Sequence, residues 1–416
     1  MFVVRRFLAR GLVPIAVVVL AAGLTSCSAG QGTSSADGAS VGSLGQAACI
    51  PPAPSKLPDD PDGAAASLTG AAKTAMGGYP GTVYASPWLN FKPKHPAPWV
   101  IGISMNQTSL FNSELVDGIK QWAAANSGKV SKVISLVTST ANDVPTQIQQ
   151  MQSLLQQHVD LLFVEVGSPS AENGVIDQAA EQGVPVVSIN GQTTDKNAVT
   201  LSANYSDLGY YGAAGLVDAM GGKGGNVLVV QGLAGQTFDS LVLGPALDVL
   251  KACHVNLEGN GSIYGQYDSS AAKAAVFQFL AGHPSTINGV FQTSAMAPGI
   301  ISAFQQDGRQ VPPVADLNPG AQSLVYWKDH QASYSGSGVA IVPLRTGEYA
   351  MAIGLAMLEG RGLKVTAVPF VPPVITSANL DQWVEPGWTN STVAQANGPA
   401  GAIAITQLVN GYMAKP

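Results

Sequence analysis

The chain has 416 residues, a formal net charge of −6 and only 11% charged side chains. So few Lys and Arg residues in an acidic chain leave no basic face for a nucleic acid, while the length suffices for two domains with cores of their own. After the N-terminal stretch no apolar run reaches about 18 residues, so nothing further along reads as a membrane span.

Arg5, Arg6 and Arg10 precede an apolar stretch of thirteen residues, Gly11 to Gly23, and small residues lead up to Cys27. This is the layout of an export signal, and the stretch is short of the roughly 20 residues that a spanning helix needs. Leu24-Thr25-Ser26-Cys27 resembles the bacterial lipobox. That resemblance implies cleavage after residue 26, lipid attachment at Cys27 through more than one acyl chain, and residence on the outer face of the cytoplasmic membrane. A plain cleaved signal with an incidental cysteine is the alternative. The following SAGQGTSSADGASVGSLGQAA is too poor in large apolar residues to pack, so residues 27–97 are expected to be a flexible tether and a Pro-rich lead-in. Cys49 and Cys253 are left, either as a disulfide pinning the end of the tether to the body in an oxidising compartment or as two free thiols.

Within the lead-in, Asp60, Asp62 and Gly63 faintly echo a calcium loop, but no glutamate closes the pattern. At Trp99 the texture changes. WVIGIS is a compact apolar run, MNQTSLFN a polar loop, and SELVDGIKQWAAAN places Leu115, Ile119 and Trp122 at helical spacing. KVISLV and a helix over 142–158 follow, with Asp143 as cap, Pro145 in the first turn and Ile148, Met151 and Leu155 as the buried stripe. LLFVEV, a helix over 171–182, VPVVSI and a short strand at VTLSA complete the first set. A second set runs through helix 206–220, strand NVLVVQ, helices 240–252 and 270–281, strand GVFQT and helix 296–306. A helix near 346–359 and an apolar strand over 368–375 come after it. Apolar strands alternating with amphipathic helices predict an α/β chain of two doubly wound parallel-sheet lobes. A ligand then belongs at the C-terminal ends of the strands, in the cleft between the lobes.

ISMNQTSLFNSELVDGIK, GVPVVSINGQ, LSANYSDLGYYGA, VLVVQGLAGQ, YDSSAA and GVFQTSAMAPGIISAF, in this order, resemble the solute-binding proteins of sugar ABC transporters with the type I periplasmic-binding-protein fold, the ribose-binding-like family. The resemblance covers about 99–375. It implies a hinge of three crossings, with one lobe from 98–203 plus 342–372 and the other from 204–341 plus 373–416. It also implies lobe closure around a ligand, delivery to ABC permease subunits, and a monomer without a cofactor.

The ligand positions carried over from the family are Asn106, Phe111, Asn112, Asn190, Asn204, Tyr267, Thr293, Ser294 and Asn318. Phe111 matches an aromatic that stacks on the sugar, and Asn112 stands where a second aromatic often occurs. Asn190 and Gly191 replace the usual aspartate and arginine, Thr293 and Ser294 the usual Asn-Asp, and the arginine expected after the LAG turn is missing from Gln236-Thr237-Phe238-Asp239-Ser240. Charge-assisted hydrogen bonds are about twice as strong as neutral ones, so these departures describe a neutral, amide-rich cleft for a sugar, polyol or similar small neutral solute. Tyr205 and Trp327 either join it or pack within a lobe, and Tyr210 is expected to pack.

A secreted lipoprotein enzyme is the competing class. His95, His158, His254, His283 and His330 are scattered without metal spacing, and no G-x-S-x-G elbow occurs. Gly221 to Gly225 surround Lys223, but no Ser or Thr follows it as a phosphate loop requires. A receptor that reports to a membrane sensor shares the expected fold. Ala402 to Met413 are expected to form a terminal helix that packs on a lobe or reaches a partner.

Overall fold

The computed structural model describes residues 44–140 and 143–415; Cys27 and the export signal lie outside them. The lead-in comes first, with a short helix α1 (Gly70–Ala75). The first sheet is then built from β1 (Trp99–Met105), α2 (Leu110–Ala125), β2 (Val130–Val137), α3 (Val144–Gln156), β3 (Leu161–Glu165), α4 (Asn173–Glu181), β4 (Val186–Ile189) and β5 (Ala198–Leu201). Its order is β2-β1-β3-β4-β5, parallel throughout. The second follows from α5 (Tyr205–Ala219), β6 (Asn226–Gln231), α6 (Thr237–Ala252), β7 (Asn256–Tyr264), α7 (Ser269–Gly282), β8 (Gly289–Gln292), α8 (Ala297–Asp307), β9 (Val314–Leu317), α9 (Ala321–Asp329) and β10 (Ser337–Val339). After α10 (Pro343–Leu358) the chain adds β11 (Val374–Ile375) and ends in α11 (Ile405–Tyr412). The second sheet runs β11-β10-β9-β8-β6-β7, with β11 alone antiparallel.

Apolar residues explain the layers. Met151, Leu154 and Leu155 of α3 and Val175 and Ile176 of α4 close over Leu162, Val164 and Val186, while α10 returns to pack against α2, β3 and β4. The two helices α2 and α10 nearly touch. A Cβ on Gly118 would lie 2.0 Å from the Leu344 carbonyl, and one on Gly347 2.0 Å from that of Leu115, so only glycine permits this approach. Ser109 accepts the Asn112 N–H at 3.0 Å, which starts α2 at Leu110 rather than at residue 113. Phe111 and Asn112 therefore sit in its first turn and not in the preceding loop. Among the described residues no helix is long and apolar enough to cross a membrane.

Three segments differ from the sequence pattern. β7 escapes it because Gly259 and Gly261 interrupt the strand, and its register against β6 shifts between Leu228 and Val230. The apolar run 368–375 is no continuous strand. Pro369, Pro372 and Pro373 lack the N–H a ladder needs, so Phe370 bridges Ala203 and only Val374 and Ile375 pair with β10. The lead-in, finally, is part of the folded body from residue 44 onward. Leu68, Ala72, Met76, Val83 and Trp88 are buried, the backbone N–H groups of Gly45 and Ala47 donate to the Asp218 carboxylate, and Cys49 is disulfide-bonded to Cys253. Asp60 and Asp62 spend their carboxylates on the N–H groups of Ala64, Ala66 and Ala85, as turn caps do.

Candidate functional site

At the strand ends facing the cleft the chain repeatedly turns through left-handed backbone. Asn190 after β4, Ala295 after β8, Asn318 after β9 and Val342 after β10 have φ of 51–59°. The amides of the first three still donate to the neighbouring strand, Asn190 to Leu201, Ala295 to Leu317 and Asn318 to Val339, each at 2.8 Å. Asparagine tolerates this conformation; for Ala295 and the β-branched Val342 it is strained, a feature that clusters at functional sites.

On the first lobe, Asn106 follows β1 and Glu165 ends β3. The Asn106 amide nitrogen donates weakly to Val166 at 3.4 Å, and its carbonyl oxygen is buried without a partner. Both amide atoms of Asn190 are likewise buried and unpartnered. Asn112 is not free: its amide donates to the Gln107 carbonyl at 3.1 Å and to Glu165 Oε2 at 2.6 Å. It braces the Glu165 carboxyl at the end of β3. Burial pushes Glu165 up to about 7, with the Asn112 hydrogen bond pulling the other way. Phe111, half-buried, packs against the core in the first turn of α2.

The second lobe supplies aromatics. The Tyr205 hydroxyl, on the first residue of α5, donates across to the Asn190 carbonyl at 3.0 Å. Its ring meets Phe238 edge-on at 4.9 Å, and Phe238 meets Tyr267 at 6.1 Å. Tyr267, in left-handed backbone after β7, lies over Gly232, where a Cβ would fall 1.9 Å from its ring. Asp239, on α6, accepts the Gly232 N–H at 3.1 Å. Burial raises its carboxyl, opposed by Thr293, Gly232 and Tyr267 beside it. Thr293 and Ser294 follow β8, and beneath them Gln292 donates to Asp316 at 3.1 Å and to Leu317 at 2.9 Å.

One expected position, Asn204, and one left open, Trp327, do not belong to this group. Asn204 is 0% exposed. Its carbonyl caps the Ser206 N–H at 3.1 Å and its amide donates to Ala75 and Gly77 of the lead-in at 3.0 and 2.7 Å. Both amide hydrogens are spent on the lead-in and the carbonyl on the cap, so Asn204 fastens the lead-in to the start of α5. Asn204→Ala, which strands two buried carbonyls and an N–H, is expected to cost about 3 kcal/mol in urea unfolding and to leave solute binding by the folded protein intact. Trp327, 3% exposed, packs inside the second lobe against Gly336. Tyr210 packs as expected, donating to Pro51 at 2.8 Å. Glu165, Phe238 and Asp239 are the site residues that the pattern passes over; for the last two the only signal is their place in the turn where the family arginine is missing.

Two α/β lobes whose strand ends carry buried amides, hydroxyls, aromatic rings and the carboxyls of Glu165 and Asp239 have the architecture of a two-lobed binding protein. The periplasmic binding protein domain model matches residues 101–362, and the chain belongs to that family, a family of binding proteins and not of enzymes. It is 25% identical over 292 residues to the xylitol-binding protein of Mycolicibacterium smegmatis, covering 68% of this chain and 79% of that one. It is 25% identical over 270 residues to the ribose import binding protein of Bacillus subtilis, covering 64% and 84%. An ABC transporter solute-binding protein from Thermobispora bispora superposes with a TM-score of 0.61 at 25% identity, over 73% of this chain and 91% of the other.

Proposed function

We propose that the protein captures a small neutral polyol or sugar between its lobes, 98–203 plus 342–372 on one side and 204–341 plus 373–416 on the other, and hands it to an ABC permease. The observation that carries this reading is Asn190. Its amide is buried at the hinge with donor and acceptor both unpartnered, and a hydroxyl needs one of each. Asn106, Glu165, Tyr267 and Thr293 add further polar atoms at the strand ends of the two lobes, and the Tyr205–Phe238–Tyr267 rings run in a row from the Asn190 carbonyl. The relatives that bind xylitol and ribose support the solute class. Lipid attachment at Cys27 would keep a monomeric receptor on the outer face of the membrane, near its permease at high effective concentration.

The test is a thermal-shift screen of xylitol, D-ribose and other neutral polyols and sugars. A solute at 100 times its Kd stabilises the folded state by about 2.7 kcal/mol, a shift well above noise. Asn190→Ala is expected to weaken the best hit about 10- to 100-fold, as loss of two buried hydrogen bonds requires. If no polyol or sugar raises the melting temperature, the solute class is wrong.

A further inference from the structure

Residues 394–397 lie beyond the matched family domain and touch both lobes. On one side the segment pairs with the loop after β9. Gln395 bridges Gly320, the Ala321 N–H donates to Ala394 at 2.9 Å, and the Ala396 N–H donates to Pro319 at 3.0 Å. Those partners start one residue after Asn318 on the second lobe. On the other side it grips the first lobe through helices that start at the cleft. The Gln395 N–H donates to Glu114 Oε1 at 3.2 Å, the Asn397 amide donates to Glu114 Oε2, and the Leu344 N–H donates to Asn397 Oδ1 at 2.8 Å. Glu114 stands one turn after Phe111 on α2, and Leu344 is the second residue of α10, two after the strained Val342. Between these contacts the Gln395 side-chain carbonyl is buried with no partner.

We propose that residues 394–397 are a clasp across the cleft, keyed by Glu114, and that the Gln395 carbonyl accepts a hydrogen bond from the bound solute. The lobes cannot separate without breaking one set of bonds. The second-lobe set is a backbone pairing; the first-lobe set hangs mainly on one carboxylate, so opening releases Glu114 and carries the segment away with the loop after β9. The segment then acts twice, holding the closed state and reading the solute. Only the second role rests on the function proposed above.

The test combines small-angle scattering of the solute-free chain with titration of xylitol and D-ribose. Glu114→Ala is expected to increase the radius of gyration without solute and to speed solute dissociation about tenfold, since interface changes act mostly on the off-rate. Glu114→Gln, which keeps one acceptor, should fall between it and the wild type. Gln395→Ala should weaken binding at least fivefold with scattering unchanged. Unaltered scattering in Glu114→Ala overturns the clasp, and unaltered affinity in Gln395→Ala overturns the solute contact. Should the wild type bind neither solute, the contact falls with the functional reading, while scattering still decides the clasp.

Discussion

Replacing Cys253 by serine is expected to lower the unfolding free energy by about 3–5 kcal/mol, one of the two largest effects available in this chain. The disulfide joins residues 204 apart, and the chain-entropy model gives about 5 kcal/mol for a loop of that size, an upper bound because residual denatured structure reduces it. Cys253 is buried at the end of α6, so the serine also places a hydroxyl in an apolar site. The loss should spread unevenly. Residues 44–51 depend on Cys49, on Asp218 and on the Tyr210 hydroxyl, and should become protease-sensitive first. The stretch from α1 to Trp88 has its own anchors in Asn204 and in the Trp88 indole, which donates to Asn197 at 2.7 Å. Urea unfolding of wild type, wild type with reductant and Cys253→Ser measures the effect. Coincident midpoints in all three would mean that the bond contributes nothing.

The same anchors bear on motion. Two hinge crossings are zipped together: Thr200 donates to Thr366, Val368 to Thr200, Phe370 to Ser202 and Asn204 to Phe370, at 2.8–3.0 Å. Outside them sit α1 and α11, where the buried Tyr412 hydroxyl shares its one proton between the Pro369 carbonyl at 2.8 Å and the Ala72 carbonyl at 3.2 Å. Both terminal segments thus collar the hinge. Val342, with its left-handed backbone, stands outside the zipped pairs, at the crossing just before α10.

Most of the fold is legible in the sequence because its signal is local. β1, β3, β4, β6 and β8 are short apolar runs, and α2 and α3 carry a cap and a stripe that need no knowledge of distant residues. The region 310–340 is opaque for the opposite reason. β9 and β10 are four and three residues long and become strands only by pairing, β9 against β8 and β10 against β9, and Trp327 packs on a glycine nine residues away. The collar is opaque too, since Pro-rich and Gly-rich composition looks like linker until Cys49, Asn204 and Tyr412 fasten it. At the site, family positions point to Asn106, Asn190, Tyr267 and Thr293, each of which the structure sets shortly after a strand. They misplace Asn204, because a cap and a ligand residue call for the same amide, and they pass over Glu165, whose role is visible only once Asn112 is seen to brace it.

Stability of the solute-free protein is expected to fall as pH rises from 6 to 8. Burial pushes Glu165 and Asp316 up to about 7 and Asp207 up to about 8, from ordinary values near 4. Above pH 5 the unfolded chain has released these three protons while the folded chain still holds them. Stability rises with pH only where the unfolded state binds more protons, so here the sign is reversed. The contribution is complete below the unfolded values and is lost as pH passes through 7 and 8. Between pH 6 and 8 Asp207 accounts for about 2 kcal/mol and each of the others for about 1 kcal/mol. Asp207 gives the cleanest reading because it lies 4% exposed in the first turn of α5 and is not one of the candidate site residues. Asp207→Asn keeps the shape without the charge, so it should raise the urea midpoint at pH 8, change it little at pH 6 and flatten the profile between. A wild-type midpoint that climbs from pH 6 to 8, or an Asp207→Asn profile parallel to it, would mean that these carboxyls are ionised in the folded chain and that its interior is wetter than the packing of α5 describes.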